Sequence, residues 1–166
     1  MILKLKEKKN IIDKISKKTK LSLSIILANY NYINVNKIYQ LRKKARKKKT
    51  IINVVKNKLF KIAIKNTKFS CIAEKLKGPT IIAFSMKHPG SGPKIFRKFS
   101  KKNKKFKITY AVFEEKILNK KEIKNLAKMP TKKEAIKKIA ILLKEITIIK
   151  FLRTLSYIIK IKKNKI

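Results

Sequence analysis

Basic side chains at regular spacing are the residues of this sequence best suited to chemistry. Arg42 and Arg46 are four residues apart, so in a helix both lie on one flank. A guanidinium presents forked donors that match a phosphate or the edge of a base. The run Lys56–Lys58 follows a strand-like pattern and precedes a helical one, and the free backbone N–H groups of such a corner favour a phosphate. These patterns predict recognition of a polyanion.

The charge balance indicates the same kind of partner. Lys and Arg total 48 and Asp and Glu total 8, which gives a formal net charge of +40. A folded domain with that excess repels itself unless a polyanion neutralises it, and nucleic acid is the usual one. Sparse aromatic residues near the basic stretch favour folded RNA over single strands. A second explanation stays open: Lys, Ile and Asn have A/T-rich codons, so mutational drift on solvated faces would supply part of the lysines.

Histidine and cysteine, which are common in catalytic and metal sites, occur only once each. His88 is the only histidine and Cys71 the only cysteine, so the sequence indicates neither a nucleophile–base arrangement nor a zinc cluster. A single thiol forms no intramolecular disulfide, which is typical of a reducing cytosol. Gly90-Ser-Gly92 lacks the lysine and spacing of a phosphate-binding P-loop, and Glu114-Glu115 is better explained as a strand end than as a catalytic pair. The sequence therefore predicts no enzyme, no cofactor and no metal.

Alternating strand and helix patterns must position the basic residues. Apolar or alternating runs predict strands at Leu21–Ala28, Ile51–Val55, Thr80–Ser85, Lys107–Phe113 and Lys116–Leu118. Helical spacing or capping boxes predict helices at Ile2–Lys18, Val35–Lys48, from Leu59, from Pro93 through Ser100, after Asn119 with Glu122, and after Thr131 with Glu134. This order predicts an α/β fold, an α+β sandwich with a small mixed sheet, over residues 1–129. A C-terminal α-helical extension covers residues 130–166.

The C-terminal extension carries two apolar faces that do not align. The first face comprises Ile136, Ile139, Leu142, Leu143 and Ile146, and the second comprises Ile148, Phe151, Leu152, Leu155, Ile158 and Ile159. In a continuous α-helix the two faces would be rotated by roughly 160°. The mismatch predicts a bend or break near Ile146–Ile148. Either both faces fold back onto the α/β region, or they receive partner helices.

The order of several short motifs resembles one known family. The motifs are Leu41-Arg-x-x-x-Arg46, Val54-Val-Lys-Asn57 with Leu59, Gly78-Pro-Thr80 with Ile82–Met86 and His88-Pro-Gly90, Leu126-Ala-x-x-Pro130-Thr-x-x-Glu134-Ala, and Leu152-Arg-Thr-Leu155. Together they resemble the bacterial form of protein ten of the large ribosomal subunit, the base of the lateral stalk. The resemblance spans nearly the whole chain and rests on the order and spacing of the motifs.

The resemblance implies an N-terminal α/β domain that binds large-subunit ribosomal RNA (rRNA) beside protein eleven. The positions that match the motifs, and are therefore RNA-contact candidates, are Arg42, Arg46, Lys56 and Asn57. Lys58 stands where the family usually has Thr and adds a phosphate donor. Asn31-Tyr32 replaces the usual Arg-Gly, which removes an expected RNA-facing arginine.

The same resemblance implies that the C-terminal helix anchors dimers of the acidic stalk protein, known as seven/twelve, which recruit translation GTPases. The candidate contacts are Ile139, Leu142, Leu143, Ile146, Phe151, Leu152, Leu155, Ile158 and Ile159. The helix length suits two dimers better than three. In some bacteria the family's complex also represses its own messenger RNA. The implied location is the cytoplasm, on the large subunit.

Two other function classes stay open. A ribosome-assembly factor would occupy the same rRNA site transiently. A lysine-flanked amphipathic helix would bind a membrane surface, but the α/β region would then have no explanation. A membrane-spanning role is not expected, because the longest uncharged run, Leu21–Asn36, is short and contains four Asn and two Tyr.

Overall fold

The computed structural model describes residues 5–65 and 67–163. Helices and strands follow one another in the order α1 (Leu5–Leu21), β1 (Ser24–Asn29), α2 (Val35–Lys47), β2 (Thr50–Val54), α3 (Asn57–Ile64), β3 (Thr80–Ser85), α4 (Ser91–Lys102), β4 (Lys107–Phe113), β5 (Lys116–Leu118), α5 (Lys120–Lys128), α6 (Lys132–Lys144) and α7 (Lys150–Lys163). A 3₁₀ turn at Ser70–Lys75 lies between α3 and β3, and a π-helical turn at Glu145–Ile149 joins α6 to α7. The predicted α/β fold with a C-terminal helical extension is confirmed.

The five strands form one sheet in the order β2-β3-β1-β4-β5. β1 pairs antiparallel with β3 and β4, β2 pairs antiparallel with β3, and β4 pairs antiparallel with β5. Within the described residues the sheet is antiparallel throughout, so the prediction of a mixed sheet is wrong in this detail. Apolar alternation identifies a strand but not its partner, because pairing depends on contacts distant in sequence.

Helices cover both faces of the sheet, which gives three layers. Ile25 and Leu27 of β1 pack on the face covered by α1 and α3. Ile26 and Ala28 pack on the opposite face, under α2, α4 and α5. Successive strand side chains alternate between faces, so a strand buried on both sides is a continuous apolar run. This is why β1 and β3 are recognisable from the sequence alone.

Two helix starts have the capping boxes that the sequence predicts. The Asn119 N–H donates to Glu122 Oε2 at 2.7 Å before α5. The Thr131 N–H donates to Glu134 Oε2 at 3.0 Å, and Thr131 Oγ1 accepts from the Glu134 N–H at 3.4 Å, before α6. Each box satisfies N–H groups that have no partner within the helix.

The first helix ends later than predicted. It continues to Leu21 instead of Lys18, while residues 2–4 of the predicted helix lie outside the described residues. The Thr19 hydroxyl donates to the Ile15 carbonyl at 2.9 Å, and both side chains are buried. Burial of Thr19 in the last turn accompanies the longer helix and the later start of β1.

α4 also begins earlier than predicted, inside the expected loop Pro89–Pro93. The Gly92 N–H donates to Ser85 Oγ at 3.1 Å. A Cβ at Gly92 would lie 2.7 Å from that oxygen, so only glycine permits this approach of α4 to β3. The contact is formed by the fold and has no local sequence pattern.

The described chain divides into two compact units, one ending at Met129 and the other beginning at Pro130. The first unit contains the sheet and both clusters of buried apolar residues. The second consists of α6, the π-helical turn and α7, and no residue of α6 is buried.

Candidate nucleic-acid interface and partner helix

α2 exposes the basic flank that the sequence predicts. Leu41 and Ala45 are each only 1% exposed, because they pack into the core beneath the helix. Arg42 and Arg46 each follow one of them by one residue, or about 100° around the axis, and are exposed. Burial of the apolar stripe therefore turns both arginines towards solvent.

Arg42 and Arg46 line a groove of about 520 Å³ beside the sheet edge formed by β2, which we call the α2–β2 groove. Its other lining residues are Lys49, Thr50, Ile51, Ile52, Asn53 and Met86. The pKa of Lys49 is lowered from its ordinary value, first by a side-chain hydrogen bond with Lys87 and then by Coulomb repulsion between the two charges. Two neighbouring cations favour binding of an anion beside them.

The strand-to-helix corner at Lys56–Lys58 contains the second group of candidate RNA contacts. Lys56 and Lys58 are exposed, and no side chain caps the start of α3. The Asn57 amide donates to the Gly78 carbonyl at 2.8 Å and so joins α3 to the turn before β3. Asn57 thus has a structural bond, and its contact with RNA stays a prediction.

The predicted RNA contacts are not all in one place. Arg46 precedes Thr50, the first residue of β2, whereas Lys56 follows Val54, its last residue. At 3.4 Å per residue, the two ends of β2 are about 14 Å apart. The structure brings Arg42 and Arg46 together in the α2–β2 groove and leaves Lys56–Lys58 at the other end of the strand.

Four side chains of the first unit, Lys49, Lys87, Tyr32 and Lys105, were not among the RNA-contact candidates from the sequence. Lys49 has a φ of 51° in the turn before β2, and it meets Lys87, which is distant in sequence. Tyr32 is 87% exposed, and Lys105 Nζ lies 5.6 Å from the centroid of its ring. An exposed ring can stack on a base, although the sequence suggested that aromatics were sparse here. No local sequence pattern distinguishes Lys49, whose backbone is in the left-handed region, from the lysines beside it.

The second unit leaves its large apolar side chains in solvent. The nine predicted partner contacts, each between 40% and 64% exposed, are Ile139, Leu142, Leu143, Ile146, Phe151, Leu152, Leu155, Ile158 and Ile159. Soluble proteins rarely expose a contiguous apolar surface of this kind without a partner. Neither predicted face is buried.

The π-helical turn at Glu145–Ile149 stands where the sequence predicts a bend or break. Hydrogen-bonded helix is continuous through it, since α6 ends at Lys144 and α7 begins at Lys150. A single π turn holds one more residue than an α turn, which sets all following side chains back by about 100°. The two apolar faces, roughly 160° apart in an unbroken α-helix, then lie about 60° apart. The turn brings them onto one side.

Comparison with known proteins identifies the family. Residues 3–101 match the model of the family described as Ribosomal protein L10. The chain belongs to this family. It is 52% identical over 158 residues to the large ribosomal subunit protein uL10 of Buchnera aphidicola subsp. Schizaphis graminum, covering 95% of this chain and 96% of the relative. It is 43% identical over 153 residues to uL10 of Wigglesworthia glossinidia brevipalpis, covering 92% and 95%. It is 38% identical over 156 residues to uL10 of Shewanella sp. (strain W3-18-1), covering 94% of each.

Membership of the L10 family makes the protein a structural component of the large ribosomal subunit and not an enzyme. The subunit is in the cytoplasm. Within residues 5–65 and 67–163, no helix has the length and hydropathy needed to cross a membrane.

The single histidine, the single cysteine and the Glu114–Glu115 pair all have structural roles or contacts. His88 Nδ1 accepts from the Gly90 N–H at 3.0 Å, and Cys71 Sγ lies 3.2 Å from the Glu115 carbonyl. Glu114 and Glu115 have φ values of 49° and 65° and form the two-residue turn between β4 and β5, the pattern of a type I′ hairpin rather than a strand end. Among the described residues, no group of three or more His, Cys, Asp or Glu could hold a metal ion.

Proposed function

We propose that this protein forms the base of the large-subunit stalk. Its first unit binds large-subunit rRNA, and its C-terminal helices anchor dimers of the acidic stalk protein, which supports recruitment of translation factors. One observation carries the proposal: a unit with a complete apolar core and a basic surface is followed by a helical unit whose apolar side chains are exposed.

The RNA-binding half of the proposal uses the α2–β2 groove and the strand-to-helix corner. Arg42 and Arg46 hold phosphates at one end of β2, and Lys56 and Lys58 hold them at the other. An anion beside Lys49 and Lys87 would relieve their mutual repulsion. The contacts recognise backbone and shape, with protein eleven bound nearby, and binding to the protein's own messenger RNA would use the same surface.

The partner-binding half uses the apolar side of α6 and α7. A helix that lays such a surface against helices of an acidic protein combines apolar burial with charge complementarity. From Lys132 to Lys163 a helix spans about 48 Å, which suits two dimers better than three. The π-helical turn matters because it places the two faces on one side.

RNA binding is tested with the double variant Arg42→Ala, Lys56→Ala of the full chain and purified large-subunit rRNA. We expect weaker binding and a plot of log affinity against log salt that is shallower by about 2, one for each lost phosphate contact. The matched control, Lys61→Ala with Lys75→Ala, removes the same charge from exposed positions on α3 and the 3₁₀ turn. Equal affinity and slope in the two variants would contradict our placement of the RNA face.

Stalk anchoring is tested by removing residues 136–166. Capture of the purified acidic stalk protein should be lost, while rRNA binding is retained. A truncated protein that still captures the stalk protein would refute the partner helix. Native mass measurement of the full complex counts the dimers.

The role of the π-helical turn is tested by changing the helix length by one residue. Deleting Thr147 lets an unbroken α-helix keep the faces about 60° apart, so stalk binding should persist. Inserting one alanine after Thr147 separates them by about 100° or more, so binding should fall at least tenfold. Equal binding by both variants would show that face alignment is irrelevant. Circular dichroism checks that both remain helical.

Residence on the ribosome is tested by sedimentation. We expect one copy on each mature, translating large subunit. Presence only on immature particles would instead identify an assembly factor.

A further inference from the structure

A second basic groove lies on the first unit, away from every residue so far assigned to RNA. It has a volume of about 500 Å³ and runs between α4, α5 and the start of β4; we call it the α4–α5 groove. Six of its ten lining residues are cationic: Arg97, Lys101, Lys104, Lys107, Lys120 and Lys124. Among the described residues, no carboxylate lines it.

The fold concentrates these charges on one side of α5. The opposite side of α5 borders a groove of the same volume, about 500 Å³, whose lining includes one cation, Lys128, and one carboxylate, Glu122. Random accumulation of lysine over the surface would enrich both grooves. Here Lys120 and Lys124, four residues apart, face the charged groove together. The asymmetry is a property of this surface and not of composition.

The floor and walls of the groove favour a polyanion over a protein. Phe106 and Ile123 are 1% and 4% exposed, and the third apolar lining residue, Ile108, is partly buried against the same core, so the groove presents only one partly exposed apolar side chain. Protein–protein interfaces centre on accessible aromatic and apolar side chains and are depleted in lysine. Nucleic-acid interfaces are strongly positive and polar.

The groove lies at the same end of the sheet as the strand-to-helix corner. Asn29, the last residue of β1, pairs with Lys107, the first of β4. Beside them, Lys105 lies over the ring of exposed Tyr32. Three strand spacings separate β4 from β2, so Lys107 is about 14 Å from the end of β2 that carries Lys56. A single RNA backbone can therefore contact both.

We infer that the α4–α5 groove is a further RNA-binding surface that holds backbone phosphates of the rRNA bound at the corner. This inference rests on the proposed function, because it assigns a new part of the protein to the same RNA. All five lysines of the groove are exposed and can donate to phosphates, and three of them, Lys101, Lys104 and Lys124, are changed in the test. Arg97 is only partly exposed and stays in place in the test.

The test uses the full chain with Lys101→Ala, Lys104→Ala and Lys124→Ala, and purified, protein-free large-subunit rRNA. Three lost phosphate contacts should make the salt dependence shallower by about 2 to 3 and weaken binding at least tenfold. The control variant Lys61→Ala, Lys75→Ala, Lys116→Ala has the same net charge, with all three changes at exposed positions outside the groove. It should change affinity by less than threefold. Replacing the three groove lysines by arginine should restore binding.

Equal affinity and slope in the groove variant and the control variant would overturn the inference. So would a groove variant that binds rRNA normally but loses an acidic protein partner, since the groove would then belong to that protein. Failure of the proposed function is a different result: the unaltered protein would bind large-subunit rRNA no more tightly than an unrelated RNA of equal length. Melting temperatures of all variants confirm that the fold is retained.

Discussion

The two units of this protein bury their apolar residues in opposite ways. In the first, Phe60, Phe84 and Phe96 are fully buried between a sheet and its covering helices. In the second, Phe151 is 64% exposed and Leu152 is 58% exposed, although both units are rich in the same aliphatic residues. The first unit buries its apolar side chains in its own core, whereas those of the second are exposed and are the proposed partner surface. The difference separates a unit that is stabilised by its own core from a helical unit whose apolar side chains remain exposed.

The largest loss of stability is expected from a substitution in the core of the first unit. Phe60 packs edge-on against Phe84, with ring centroids 6.3 Å apart. Phe60→Ala should lower the free energy of unfolding by about 3–5 kcal/mol, because it leaves a cavity. Ile62, which is 57% exposed on the same helix, is the control, and Ile62→Ala should change stability by about 0.5 kcal/mol or less. Urea denaturation followed by circular dichroism measures both, and similar losses would mean that the exposed side of α3 is also part of a core.

A substitution on the exposed apolar side of the second unit should have a smaller effect, which is a loss of partner affinity and not of stability. Leu152→Ala should weaken binding of the acidic stalk protein by about 2 kcal/mol, the level of an interface hot spot, and leave the unfolding of the free protein nearly unchanged. Lys150→Ala is a neighbouring control on α7 that removes no apolar contact. Calorimetric titration gives the affinities. If Leu152→Ala destabilises the free protein instead, the helix is already packed and the contrast between the units fails.

The start of the second unit should depend on its capping box. Thr131→Ala removes the hydroxyl that accepts from the Glu134 N–H, and it should cost about 1 kcal/mol of helix stability. Thr131→Ser keeps the oxygen and serves as the control. Circular dichroism follows the loss of helical signal on heating, and identical melting curves for Thr131→Ala and the unaltered protein would show that this hydroxyl does not stabilise α6.

The smallest effect should separate structure from recognition at the corner. Asn57→Ala removes the exposed bond to the Gly78 carbonyl and should cost about 0.5 kcal/mol of stability, the low end for a hydrogen bond. Because one amide donor is occupied, its effect on rRNA affinity should be smaller than that of Lys56→Ala. Loss of RNA affinity without loss of stability would make Asn57 a direct contact.

Much of the fold could be predicted because its signals are local. Strands buried on both faces are continuous apolar runs, and both capping boxes are short patterns with a defined spacing. Strand pairing could not be predicted, since the register of Thr50 with Ser85 joins distant parts of the chain. The 3₁₀ turn was missed for the same reason: Ile72 is fully buried there by a core that its own sequence does not describe.

The candidate site could be predicted only residue by residue. The exposure of Arg42 and Arg46 follows from the apolar stripe of α2, which is local. The distance between Arg46 and Lys56 follows from the length of β2, and the pair Lys49–Lys87 follows from two turns that meet in space. Sequence proximity suggested one basic surface where the fold has two.

The sequence by itself determined the alternation of elements, the helix caps, the basic flank of α2 and the two apolar faces of the C-terminal helix. Only the tertiary structure decided the antiparallel order of the strands and the gathering of six cations in the α4–α5 groove. The π-helical turn is local, and it stands where the mismatch of the two apolar faces predicts a bend or break. The physical reason is range: periodicity and capping act within a few residues, whereas charge clusters and strand pairs depend on contacts between distant segments.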